Sequence, residues 1–152
     1  MIPTLAGRLQ TRIFLFFFIG LPITILYGLY WTGWQWDWRT IQIFVWFLCT
    51  ITALGLFLDP LYIFLQSTRW DRDWPFAYQF FFSWVEFGIV FFVARAGLLP
   101  YLPEFAFQGG RGLSIAVLHF ALVFIPSFLA LLGPLQAIFI RWRFKGGQFG
   151  KM

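Results

Sequence analysis

Glu86 and Asp59 are carboxylates set inside long apolar runs, and His119 is an imidazole set inside another. Glu86 falls near the middle of residues 76–99, FAYQFFFSWVEFGIVFFVARAGLL, a stretch long enough to cross a bilayer. A charged side chain at the centre of hydrocarbon costs about 2.5 kcal/mol or more even on lenient insertion scales. Glu86 is therefore expected to face other protein, to hold a proton or to be paired. Gln79, Ser83 and Glu86 share one helical face, which turns Glu86 into a bundle. A carboxylate so placed can bind and release a proton or a cationic substrate. The structural alternative is a hydrogen bond to Ser83, Gln79 or a threonine of another helix, or a pair with an arginine of another subunit.

Thr52, Asp59 and Gln66 are seven residues apart, with Cys49 and Gly55 near the same line. That spacing puts them on one face, and in lipid a face of small and polar residues turns toward other helices. Asp59 precedes Pro60, so the helix is expected to kink or unwind there. Arg69, Arg72, Arg12 and Arg141 are its candidate salt-bridge partners, and a relay to Glu86 is its candidate functional role. His119 could ligate the metal of a haem or chlorin, or be satisfied by a neighbouring carbonyl or hydroxyl. A nucleophile with its base is not apparent, because Cys49 and His119, the single cysteine and histidine, lie in different spans. No catalytic set, disulfide or zinc ligand set is expected from this chain.

Residues of these types need a scaffold, and composition says which. Hydrophobic residues make up 61%, charged residues 11%, and mean hydropathy is +0.78, outside the range of soluble domains. At 152 residues the chain holds four membrane helices with short connections and no separate soluble domain. The expectation is an all-α integral membrane protein: one domain over 1–152, four transmembrane helices in an antiparallel bundle. Spans are expected at 13–31, 41–65, 76–98 and 113–140. The N-terminal segment resembles a secretory leader only superficially, since the apolar run is long and no small-residue cleavage site follows it. Pro22 should bend the first helix, and Pro126 and Pro134 the last.

Between the spans, Trp31, Trp34, Trp36 and Trp38 read as an interfacial anchor, with a partner or ring-shaped ligand as the alternative. The loop STRWDRDWP alternates Arg69, Asp71, Arg72 and Asp73; mutual salt bridges and an Asp73 helix cap account for it, with docking of a cytoplasmic partner as the alternative. Residues 97–112 should form an interfacial loop lying on the bundle. The net charge of +5 comes from residues flanking apolar spans, which argues against nucleic acid. Eight Lys and Arg fall on the side of the two termini and three, Arg39, Arg95 and Arg111, on the other, so both termini are expected to be cytoplasmic or on the equivalent face of an internal membrane.

Three functions fit this reading. The first is a non-catalytic accessory, assembly or scaffold subunit of a larger membrane complex, motivated by tiny loops, abundant aromatics and no catalytic set. The second is a small homo-oligomeric transporter or proton-coupled carrier using Glu86, with a polar seam of Thr52, Asp59, Gln66, Gln79, Ser83, Glu86, His119 and Ser127. The third is a pigment- or haem-binding subunit using His119. The partners expected are the lipid bilayer and either other membrane subunits or further copies of the chain.

Overall fold

Proline placement decides where the first helix changes its winding. In the computed structural model, which describes residues 5–68 and 76–135 (the backbone alone at 76), α1 (Leu5–Leu15) passes through a π-helical turn, Phe16–Gly20, into α2 (Leu21–Trp31). Pro22 has no N–H to offer the carbonyl of Phe18, and the N–H of Leu21 reaches back five residues to the carbonyl of Phe16. The expected bend at Pro22 thus takes the form of a π turn just before it. Together these pieces make one helix of 27 residues, Leu5–Trp31. It starts eight residues before the expected position 13, and Arg8 and Arg12 lie inside the helix rather than in a tail.

Three further long helices follow: α3 (Trp38–Ser67), α4 (Phe76–Arg95) and α5 (Gly109–Leu132). All four are long and apolar enough to cross a membrane, and no strand occurs among the described residues. α3 runs past the expected limits of 41–65 at both ends and stays helical through Pro60, without the unwinding expected at Asp59. α4 stops at Arg95, short of the expected 98, and α5 runs from Gly109 to Leu132 where 113–140 was expected. Residues 136–140 are outside the described residues, as are the basic tail and the loop carrying Arg69, Asp71, Arg72 and Asp73.

Local chemistry sets these ends. α2 stops where Gly33 and Trp34 take left-handed φ values of 66°, and Trp34 donates its N–H to the Leu29 carbonyl. Asp37 starts α3 by accepting from the backbone N–H of Arg39 and from the Thr40 hydroxyl. The Thr40 bond is the main reason its carboxyl titrates below the ordinary aspartate value of 3.8. α4 ends in the same style as α2: Gly97 adopts φ 69° and Leu98 N–H returns to the Val93 carbonyl.

The connection after α4 is less of a surface loop than its composition suggests. A short 3-10 helix, Glu104–Phe107, sinks Phe107 into the core. There its ring lies 5.1 Å from Phe47 of α3 and 6.2 Å from Phe91 of α4. Phe47, Phe87, Phe91 and Phe120 are all buried around it, so aromatic rings join α3, α4 and α5. Along α5, Phe120, Phe124 and Phe128 stack at four-residue spacing, 5.3 and 5.5 Å between centroids. The outer faces are apolar too: Phe57 is 80% exposed, and Phe64, Phe81 and Phe92 are also exposed. A helix apolar all round suits a lipid surround or a larger core, not water.

α2 and α3 approach at Gly28, where a Cβ would lie 2.9 Å from Ile41 Cγ1 and 3.1 Å from its Cα. Gly28→Val is expected to push these helices apart and lower unfolding stability by about 1–3 kcal/mol. Unfolding in mixed micelles checks this, and an unchanged transition would contradict the close contact.

Candidate functional site: an ion trio on a cavity wall

Arg12, Asp59 and Glu86 meet although α1, α3 and α4 contribute one each. Arg12 donates Nε to Asp59 Oδ2 at 3.2 Å and Nη2 to Oδ1 at 3.1 Å. The same guanidinium donates Nη1 to Glu86 Oε2 at 2.9 Å and Nη2 to Oε1 at 3.2 Å. Two forked pairs therefore occupy four of the five N–H bonds of arginine. Tyr62, three residues after Asp59 on the same face of α3, donates its hydroxyl to Glu86 Oε1 at 3.1 Å. The Asp59 and Glu86 side chains are 2% and 3% exposed, while that of Arg12 keeps 25%.

Glycine makes the meeting possible. A Cβ on Gly55 would collide with Arg12 Nη1 and would lie 2.7 Å from Glu86 Oε2. Gly55 sits one turn before Asp59, so α3 supplies a gap for the guanidinium and, four residues on, the carboxylate that receives it. One turn before Arg12, Arg8 donates Nη2 to Gln66 Oε1 at 3.0 Å. This second link ties the start of α1 to the end of α3.

Beside the trio lies a cavity of about 150 Å³ walled by all four long helices and the π turn. Arg8, Arg12, Asp59, Tyr62 and Glu86 border it, and so do Phe16, Phe120, Phe124 and Phe128. Of the remaining residues expected in a polar seam, Thr52, Gln79, Ser83 and Ser127 also border it. Ser83 and Ser127 donate their hydroxyls to the carbonyls one turn back, Gln79 and Val123, so neither bonds Glu86. Gln66 is buried against Arg8 instead of facing the cavity.

His119 belongs elsewhere. Its Nε2 is 2.9 Å from Thr24 Oγ1, and the rings of Tyr27, Phe44 and Phe47 surround it at centroid distances of 5.2, 5.4 and 6.2 Å. The residue is 1% exposed and does not border the cavity. Nδ1 has no hydrogen-bond partner among the described residues. A haem or chlorin needs open space beside the ligating nitrogen, and the residues here do not fit one: a hydroxyl holds Nε2 and aromatic rings fill the surroundings. Tyr27 completes this cluster by donating its hydroxyl to the Ile115 carbonyl at 2.9 Å, which ties α2 to α5. Among the described residues no group of three or more His, Cys, Asp or Glu could hold a metal.

Tyr62 is hard to see in the sequence, where it reads as one aromatic among many. Arg12 is one of the four cations expected for Asp59, and its second pairing, with Glu86, is the part that spacing does not show. A charge count offers a pointer to Arg12: two carboxylates within spans need a cation, and Arg12 abuts an apolar run.

Removing one member leaves buried charge without a partner. Arg12→Leu is expected to destabilise by about 3–5 kcal/mol, whereas the triple variant Arg12→Leu/Asp59→Leu/Glu86→Leu should recover most of that loss. Unfolding curves of the two variants decide; a triple variant no better than the single would contradict the trio. Comparison with protein-family models, with curated proteins and with solved structures finds no match to this chain.

Proposed function

We propose that the protein is an integral membrane protein, a four-helix antiparallel bundle with both termini cytoplasmic, and that it is a small proton-coupled carrier. The cavity is its solute chamber and Glu86, with Asp59, its proton-exchanging group. One observation carries this reading: a cavity touched by all four long helices has on its wall two carboxylates sharing a single cation. With both carboxylates ionised the trio carries one net negative charge; with one proton it is neutral. In a low-dielectric interior that difference is large, so proton occupancy and solute occupancy of the cavity are coupled.

The bundle geometry is supported by contacts that run in opposite sequence order. Arg8 meets Gln66, Arg12 meets Asp59, and Gly28 faces Ile41. Phe80 lies near Phe128, Trp84 near Phe124 and Phe87 near Phe120. Orientation is supported by the basic residues even after Arg12 is set aside as buried in the trio: Arg8, two in the loop after α3 and four in the tail exceed Arg39, Arg95 and Arg111.

The accessory-subunit reading draws less support. It rests on tiny loops, abundant aromatics and the lack of a catalytic set, all of which fit a self-sufficient membrane carrier equally. An arginine from another subunit is not needed by Glu86, because Arg12 of the same chain supplies the charge. A clamp alone would also leave the cavity without a role.

Proteoliposomes under an imposed pH gradient test the carrier, with a panel of labelled small organic acids and amines. Accumulation of at least one solute is expected, abolished by a protonophore and lost in Glu86→Gln. Gradient-independent behaviour of the whole panel, or full accumulation by Glu86→Gln, would overturn the reading.

A further inference from the structure

The two signs of charge in the trio are not equally presented to the cavity. The Asp59 and Glu86 side chains are 2% and 3% exposed, while the Arg12 side chain as a whole keeps 25%. A cation in the cavity would find both carboxylates almost fully buried and already paired with Arg12. Among the described residues Nη1 donates only to Glu86 Oε2, so one N–H of the guanidinium is not taken by either carboxylate and is left for an anion. Arg8, a turn away on the same helix face, adds positive charge at the cavity and reaches Gln66.

Apolar groups line the cavity as well. Phe16, Phe120, Phe124 and Phe128 border it, the last three as a stacked ladder. A volume of about 150 Å³ accepts a benzene-sized body. Polar head at the arginines and apolar body against the phenylalanines together describe an amphiphile with one anionic group and a body of one ring or a short chain.

Charge balance then fixes the partner ion. The charged and titratable groups on the cavity wall are Arg8 and Arg12 from α1, Asp59 and Tyr62 from α3, and Glu86 from α4; α5 contributes none. Arg12 is already outnumbered by its two carboxylates, so an anion seated on it is opposed unless one carboxylate takes up a proton. A proton bound by the carboxylates neutralises the trio and frees the guanidinium for the ligand.

We infer that the cavity takes a small carboxylate with an apolar body together with one proton, Arg12 holding the carboxylate and the Asp59–Glu86 pair holding the proton. The inference rests on the carrier reading and names its solute class and coupling sign: co-transport, not exchange. A soluble aromatic acid and a short fatty acid share this chemistry.

Calorimetry on the detergent-purified full chain tests it, with benzoate, octanoate and benzylammonium as probes and buffers of different protonation enthalpy to count protons. Benzoate or octanoate is expected to bind with uptake of one proton, the first pointing to a soluble acid and the second to a lipid. Their affinity should fall about tenfold per pH unit once the free site has lost its proton. Glu86→Gln, which makes the trio permanently neutral, should still bind the acid, now without proton uptake and without that pH dependence. Asp59→Asn should behave alike. Because wild type alone reports the proton count, the result does not depend on any variant folding. Binding of benzylammonium with proton release, acid binding without proton uptake, or binding of neither acid would overturn the inference. If benzoate binds with a proton but no solute crosses a vesicle, the carrier reading falls and the binding site stands. If a pH gradient drives amines alone, this inference falls and the carrier stands.

Discussion

One guanidinium shared by two buried carboxylates is the constraint on which the rest of the structure depends. Arg12 comes from α1, Asp59 from α3 and Glu86 from α4, so a single group fixes the mutual position of three helices. Removing three such side chains from water is expensive, and forked hydrogen bonds on both sides, with Tyr62 adding a fifth, are what offset it. Apolar packing between helices is weakly directional when lipid also favours apolar surface. The ion trio supplies the direction: Arg12 cannot slide a turn along α3 without abandoning Asp59 and running out of the gap at Gly55.

Several features that look separate serve that constraint. The π turn at Phe16–Gly20 lies one turn after Arg12 and borders the same cavity, so the place where α1 and α2 change phase is also the place where the chamber opens between helices. Below it the helix presents Arg8 and Arg12; beyond it, Thr24, Tyr27 and Gly28 pack against His119, Ile115 and Ile41. A continuous α-helix would rotate one of those two sets away from its partners. Pi turns recur at functional sites for this reason: one residue of extra winding lets a single helix serve two faces.

The existence of four membrane-length helices was legible from hydropathy alone, because each is an apolar run of sufficient length and Gly, Pro and Trp clusters separate them. Which helix end falls where was less so. The ladder of hydrogen bonds carries α3 through Pro60, and α1 begins well before its apolar run, since Arg8 and Arg12 have partners inside the protein and need no water. For the site, heptad spacing put Asp59 and Gln66 on one face and Glu86 on an inward one, yet spacing within a helix says nothing about which helix lies opposite. Arg12 is therefore legible only as one of four candidate cations for Asp59, Tyr62 stays hidden, and Ser83, a partner for Glu86 by face, spends its hydroxyl on its own helix. His119 illustrates the converse: an isolated imidazole in an apolar span suggests a pigment ligand, whereas packing against Tyr27, Phe44 and Phe47 makes it part of a core.

The most direct test of the trio is a distance measured in bilayers. Solid-state NMR on protein labelled with ¹⁵N in the arginine side chains and ¹³C in the carboxylates would read Arg12 against Asp59 and Glu86, with Arg12→Lys used to assign the signal. The structure requires dipolar contact from one guanidinium to both carboxylates, at donor–acceptor distances of 2.9 to 3.2 Å. Contact to only one carboxylate, or to neither, would contradict it.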